Sequence, residues 1–303
     1  MSTPDRTPIE RAYGSLVALA VGDAIGEMLP VLPRPLPVSP GGNLPDGPWP
    51  YTDDTEMAIA IYETLAERGT IDGDDLARRF GERFAANPDR GYGAVAHWLL
   101  YRIHTGADWR THARQPFQGA GSMGNGAAMR VAPLGAWFAG DPDAVVAEAI
   151  RSAEVTHAHP DGQAGAVAVA VAAATLAEAP GRDPSALFDA VLERTPDGPT
   201  REGLAAAAAL LELPPAEAGE RLGTGEGIIS SDTVPFCLWC AARHPGDVAA
   251  ALNTAAAGFP SMRSDRDTVF AIVAGIVGSG APETVPALWR NWCERLPIAP
   301  PGA

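Results

Sequence analysis

Two short acidic stretches, Tyr51-Thr52-Asp53-Asp54-Thr55 and Ser264-Asp265-Arg266-Asp267-Thr268, stand near opposite ends of this 303-residue chain. Each runs straight into an apolar segment at helical spacing, residues 57–65 and 269–277. Any fold must therefore carry four carboxylates at the starts of two helices otherwise suited to a core, where an unpaired charge is costly. Two accounts are open. In the first, the acids are caps: Asp53-x-x-Glu56 has capping-box spacing, Ser264 or Asp265 suits an N-cap, and first-turn acids complement the helix macrodipole. In the second, the stretches meet in space and a hard divalent cation with oxygen ligands neutralises them.

Composition narrows the field. Hydrophobic content of 46% and charged content of 19% are globular values. A net charge of −15 argues against a nucleic-acid or anionic-membrane surface. It leaves room for a small anionic ligand on helix N-termini and a few arginines; all 22 basic residues are Arg. The cysteines Cys237, Cys240 and Cys293 read as buried structural thiols: the Cys-x-x-Cys pair lies in an apolar helical run and no second pair exists. The N-terminus lacks a basic-then-apolar pattern, and the apolar run 164–177 is too short to span a bilayer. A reduced, cytoplasmic setting is the expectation.

Periodicity predicts an all-α fold closing on itself as one domain over residues 1–303, with a monomer expected. Residues 9–21 read as a helix with Gly14, Ala18 and Gly22 on one side, where a second helix can approach closely. Further helices are expected at 54–68, 74–86, 92–104, 143–155, 161–179, 184–192, 201–211, 232–244, 247–257, 267–278 and 283–295, several opened by Asp or Ser and closed near Gly or Pro. Residues 127–138 read as a helix interrupted by Pro133. The Ala/Val-rich run 165–177 has no polar face and belongs at the centre. Residues 29–50 hold eight prolines and Gly41-Gly42, a segment that is either a lid or a plain surface connection.

Residues 118–130, Gln-Gly-Ala-Gly-Ser-Met-Gly-Asn-Gly-Ala-Ala-Met-Arg, are unlike their surroundings. Glycine permits close backbone approach, and a Gly-rich loop before a helix can hold phosphate on free N–H groups. It is neither a P-loop nor a Rossmann fingerprint, since Lys and a preceding strand are absent. Taken alone it is as readily a flexible connection. Thr156-His157-Ala158-His159 lacks the third ligand a zinc site needs, and Gly223-Thr224-Gly225-Glu226-Gly227 is a second Gly-rich turn. His97, His104, His112 and His244 stand singly.

In order along the chain, Gly22-Asp23-Ala24-Ile25-Gly26-Glu27, Thr52-Asp53-Asp54-Thr55, Gly124 to Arg130 with Pro133-Leu134-Gly135, Thr156-His157 and Asp265-Arg266-Asp267-Thr268 resemble the ADP-ribosylglycohydrolase family, over residues 14–280. The resemblance implies a compact orthogonal multi-helix bundle that hydrolyses the C1″ bond of ADP-ribosylated protein side chains, of arginine or serine type, or of small molecules. ADP-ribose would be the product. It implies two Mg2+ or Mn2+ ions with Thr52, Asp53, Asp54, Asp265, Asp267 and Thr268 as ligands. By the same resemblance Glu27, Asp53 and Asp54 serve in catalysis. Gly121, Ser122, Met123, Gly124 and Asn125 would cradle ADP-ribose with His157 nearby, and Gly225 to Gly227 would form an adenosine-side or rim loop. The family pattern Gly-Gly-Asp-Thr-Asp-Thr is here Arg263-Ser264-Asp265-Arg266-Asp267-Thr268, and Ser122 stands where the arginine-specific branch often has an acid. Two rival functions follow: an ADP-ribose receptor without turnover, and a hydrolase of another ribosylated small molecule.

Overall fold

The most extensive helix contact is between the first long helix and the penultimate one. In a computed structural model describing residues 6–38 and 44–302, fifteen α-helices run through the described residues. They are α1 (Pro8–Met28), α2 (Asp53–Arg68), α3 (Gly73–Ala86), α4 (Ala94–His104), α5 (Trp109–His112), α6 (Ala132–Trp137), α7 (Pro142–Glu154) and α8 (Pro160–Glu178), then α9 (Pro184–Arg194), α10 (Pro199–Ala209), α11 (Pro215–Leu222), α12 (Val234–Arg243), α13 (Val248–Gly258), α14 (Arg266–Gly280) and α15 (Ala287–Trp292). Among the described residues there is no β-strand, only isolated bridges at Trp49–Cys293 and Gly124–Ile229. The fold is all-α, as the periodicity predicts.

Helix α1 lies antiparallel on α14, its most extensive partner. The small residues read from the sequence line this contact. A Cβ added at Gly22 would stand 2.4 Å from the Phe270 carbonyl oxygen, and one at Gly26 would stand 2.5 Å from that of Arg266. On the α14 side, a Cβ at Gly278 would meet Ala18 Cβ at 2.1 Å. The helices therefore meet closely from Ala18 to Gly26, about two turns, which no larger side chain permits. Helix α14 is buried from Thr268 to Gly280 and α8 from Ala164 to Leu176, as expected of helices without a polar face. Helices α2 to α5 build outward on one side of this centre and α9 to α13 on the other. One continuous set of buried apolar side chains runs from Ala12 to Cys293 and includes all three cysteines.

Some helix bounds differ from the sequence reading. Helix α1 does not stop near Val21 but continues to Met28, because close packing on α14 outweighs the low helix propensity of Gly22 and Gly26. The expected helix 283–295 shrinks to the six residues of α15: Val285 is held extended by the proline that follows it. The helix expected from residue 127 starts instead at Ala132, with Pro133 at its second position, where no N–H is needed. Helices α5 and α11 were not anticipated. Helix α1 also exceeds run 164–177 as the longest apolar segment; it is long and apolar enough to cross a membrane, yet 67% of its apolar window is buried among other helices.

Of the proline-rich segment 29–50, residues 39–43 lie outside the described residues. The remainder is fastened down. Leu36 N–H donates to Asn253 Oδ1 at 2.7 Å, Trp289 Nε1–H to Pro37 O at 2.6 Å, and Trp49 N–H to Trp292 O at 2.7 Å. The described part is a tied connection over α13 and α15.

Gly26→Ala is expected to destabilise the protein by about 1–3 kcal/mol, the usual cost of overpacking a tight contact. Denaturant unfolding checks it: an unchanged midpoint would contradict backbone contact at this position.

Candidate active site

Helix α1 brings the two acidic stretches together with two residues less than one turn apart. At Gly26 the start of α14 packs directly against it. At Asp23, a fully buried carboxylate reaches the start of α2. Asp23 accepts from Thr52 N–H at 2.9 Å, Thr52 Oγ1–H at 2.9 Å, Thr55 N–H at 3.1 Å and Thr55 Oγ1–H at 2.6 Å. Arg90 braces the same helix start from outside, donating to Tyr51 O at 2.7 Å and pairing with Glu294, while its carbonyl accepts from Asp53 N–H at 2.8 Å. The N-termini of α2 and α14 thus face one small volume.

The acids are not spent on capping. Thr52 occupies the N-cap of α2, and Asp23 takes the amide of Thr55 that a capping side chain would serve. Glu56, assigned to a capping box by spacing, instead accepts from Arg83 at 2.9 Å. Asp265 occupies the N-cap position of α14 but makes no capping bond; its Oδ2 accepts from Asn125 Nδ2 at 2.7 Å. Asp54 is buried, and its Oδ2 has no hydrogen-bond partner among the described residues.

Such a cluster cannot hold full charge in isolation. Burial, then the neighbouring Asp267, pushes Asp23 up to about 7, against the lowering effect of the threonine donors. Burial first and the other aspartates second raise Asp53, Asp54 and Asp265 well above the carboxylate range. The positive ends of α2 and α14 offset part of this repulsion. Arg130 is the buried cation that acts on Asp53, and burial lowers its own pKa to about 9. Among the described residues, no group of three or more His, Cys, Asp or Glu side chains forms a ready-made metal cage. The fit to a divalent cation rests on charge and on the uncommitted Asp54 oxygen: like-charged carboxylates crowd together without an equal counter-charge.

The glycine loop closes one side of this volume. Gly121 has φ +79°, and a Cβ there would stand 2.7 Å from His159 N. Asn125 is buried and also donates to Thr233 Oγ1 at 3.1 Å, so its amide ties the loop to Asp265 rather than pointing outward. Ser122 Oγ accepts from Gly124 N–H at 3.1 Å. The loop is stitched to the second Gly-rich turn: Ser230 N–H donates to Met123 O at 3.0 Å and Asn125 N–H to Ile228 O at 3.3 Å. That turn in turn presses on the acidic stretch, since a Cβ at Gly225 would stand 2.4 Å from Asp265 Cβ. His157 lies buried beneath Gly124 and Gly126. His159 is separate: it caps α8, its Nδ1 accepting from Asp161 N–H at 3.0 Å.

A cleft of ≈ 180 Å³ opens onto Asp265 and Asp267 and is also lined by Glu27, Ile228, Arg263 and Arg266. Of the residues named from the sequence, Glu27, Asp265 and Asp267 line this cleft. Asp53 and Asp54 lie close enough to Asp267 for it to raise their proton affinity, and Asn125 joins the loop 121–125 to Asp265, with His157 behind the loop. Sequence reasoning gave no role to Asp23, Thr55 or Arg130. Asp23 carried a visible signal: it is the one charge inside the apolar run 16–26.

The chain is similar to known proteins along nearly its whole length. Residues 4–299 match the sequence profile of the ADP-ribosylglycohydrolase family. The chain is 30% identical to ADP-ribosylhydrolase ARH3 of Bos taurus, over 94% of this chain and 89% of that protein. It is 29% identical to the ADP-ribosyl-[dinitrogen reductase] glycohydrolase of Rhodospirillum rubrum over 50% of this chain and 52% of that one. A solved ADP-ribosylglycohydrolase-related protein complex superposes with a TM-score of 0.65 at 25% identity, covering 95% of this chain and 93% of that chain.

The raised carboxylates fix a pH dependence. Asp23 holds a proton in the folded state up to about 7 but only to about 3.9 when unfolded. Its contribution to stability is complete below pH ~4 and is lost as pH rises through about 7, with Asp53, Asp54 and Asp265 acting in the same direction. His157 and His244 are held neutral and work the opposite way, but only up to pH ~6.5. In a chelator, the melting temperature is expected to fall from pH ~6.5 to ~8. A rise across that window would contradict a protonated cluster.

Proposed function

The chain belongs to the ADP-ribosylglycohydrolase family, and from that premise we propose that it hydrolyses the C1″ glycosidic bond of ADP-ribosylated side chains or small molecules and releases ADP-ribose. One observation carries this reading. A cluster of coupled carboxylates, among them a buried Asp54 with a free oxygen, reaches a cleft through Asp265 and Asp267, which line it together with an unclaimed carboxylate, Glu27, and the turn at Gly225. A merely structural pair of capped helices has no use for that arrangement.

The residues divide the work. Glycoside cleavage passes through an oxocarbenium-like state, so negative charge near C1″ is stabilising. Asp53, Asp54, Asp265 and Asp267, with the hydroxyls of Thr52 and Thr268, would hold the divalent cations. Mg2+ or Mn2+ bound there would supply charge neutralisation and a bound water of lowered pKa. Glu27 stands exposed in the cleft, where a carboxylate can accept the proton of attacking water or deliver one to the leaving group. Asp23 touches no substrate; it orients Thr52 and Thr55 and so sets the position of Asp53 and Asp54. In the loop 121–125 the N–H groups of Gly121, Gly124 and Asn125 are bonded within the protein, so those of Ser122 and Met123 would be the ones to meet pyrophosphate, which suits a protein of net charge −15.

Arg263 and Arg266 favour a choice of leaving group. Both line the cleft beside Asp265 and Asp267. A substrate joined through arginine would bring another cation to these guanidiniums, whereas a serine-type or acyl-type linkage would not. The preferred substrate is therefore O-linked.

Asp54→Ala and Asp267→Ala are expected to lower release of free ADP-ribose by about 10²–10⁴-fold while the circular dichroism spectrum stays unchanged, because removing one of several crowded carboxylates relieves repulsion. Binding of ADP-ribose with no release by the unmutated protein, from any linkage, would instead favour a receptor. With arginine-, serine- and acetyl-linked ADP-ribose compared side by side, Arg266→Thr is expected to shift preference toward the arginine linkage by about fivefold, the equivalent of ~1 kcal/mol for one exposed cation pair. An unshifted ratio would remove Arg266 from acceptor choice. Mg2+ or Mn2+ is expected to raise the melting temperature more at pH 8 than at pH 6, since cation binding displaces protons. An equal rise at both pH values would argue against the aspartates as ligands.

A further inference from the structure

We infer that Arg130 and Thr156 form a buried relay that fixes His157 as its Nε2–H tautomer, making it a hydrogen-bond donor to a ligand oxygen at the glycine loop. The ligand half of this inference rests on the reading of loop 121–125 as the ADP-ribose cradle. The tautomer half rests on geometry alone.

Arginine can only donate. Arg130, fully buried, donates from Nη2 to Thr156 Oγ1 at 2.8 Å and to Ser152 O at 3.1 Å. Its guanidinium lies over the Phe80 ring at 4.5 Å, and Nη1 points at Met57 Sδ at 3.5 Å. The group is thus fixed from α2, α3 and α7 at once. Thr156 Oγ1 already accepts from Arg130, so its own proton needs an acceptor. Among the described residues one is in reach: His157 Nδ1, at 2.7 Å. Placing the proton on Nδ1 instead would leave Thr156 Oγ1 with two donors and its buried hydroxyl proton with no acceptor, which is costly. Thr156 therefore donates to Nδ1, and the ring proton sits on Nε2. Burial and the Arg130 cation push the His157 pKa down to about 3, so the imidazolium does not compete near neutral pH.

The Nε2 face looks toward the loop. Among the described residues the ring hydrogen bond of His157 is made by Nδ1, and a Cβ at Gly124 or Gly126 would stand 3.2 or 3.1 Å from Nε2. The two glycines keep this donor uncovered. An Nε2–H group can bind a phosphate or ribose oxygen but cannot accept a proton, which removes His157 from the candidates for general base. Arg130 and Thr156 act through His157 and are positioning residues.

The tautomer is read directly from the ring nitrogen resonances of ligand-free, 15N-histidine-labelled protein. A protonated Nε2 with an unprotonated Nδ1, constant between pH 6 and 8, is expected for His157; a protonated Nδ1 would overturn the relay without any variant. Thr156→Val keeps the shape and deletes the donor, and is expected to release the tautomer preference and weaken ADP-ribose binding by about tenfold, the worth of one hydrogen bond. Thr156→Ser is expected to restore both. A Val variant that keeps both the single tautomer and the affinity would overturn the relay. If the unmutated protein has the expected tautomer but does not bind ADP-ribose in calorimetry, the ligand half falls together with the proposed function, and the relay between Arg130, Thr156 and His157 stands.

Discussion

Asp23 is the contact on which the rest depends. Its carboxylate sits in the middle of an apolar helix with no exposure, a position that costs several kcal/mol unless its oxygens are filled. Thr52 and Thr55 fill them with backbone and hydroxyl donors from the start of α2. The helix entry is thereby served by a residue from another helix, and the acids of α2 are released from capping. Less than one turn further along α1, Gly26 admits the backbone of α14 and brings the second acidic stretch to the same place. One helix thus sets both halves of the site.

Gathering aspartates in a buried volume is unfavourable electrostatically, and the fold contains the expense with oriented dipoles and with protons. Two helix N-termini point into the cluster, Asn125 donates a hydrogen bond to Asp265, and Arg130 acts on Asp53 from a fully buried seat. The remaining imbalance appears as raised proton affinity. Strain of this kind, held by a rigid core around it, is what prepares a site for cation binding and for developing positive charge on a sugar.

The loops show the same economy of means. Glycine at 121, 124, 126 and 225 allows backbone to lie against His159, His157 and Asp265 where a side chain would clash. The loop around Ser122 and the turn around Ile228 are bonded to each other, so the Gly-rich segment that alone reads as a flexible connection is held by that turn and by Asp265. A loop already held in this way can meet a ligand without further ordering cost.

By itself, the sequence determined that this chain is helical, which helices are central, and that its small-residue stripe at Gly14, Ala18 and Gly22 meets another helix. Those properties are periodic and local, so spacing reveals them. It also marked the acidic stretches as unusual; each alone reads first as a cap and the pair together favours a cation, because both accounts use the same residues at the same helix positions. Only the tertiary structure showed that the acids are not spent on capping: the hydrogen-bond partner of Thr55 N–H comes from Asp23, and that of Asp265 from Asn125, 140 positions away. The roles of Asp23, Arg130 and Thr156 were hidden for the same reason. A buried polar side chain is defined by the partner that satisfies it, and that partner is set by how distant helices pack rather than by its neighbours in the chain.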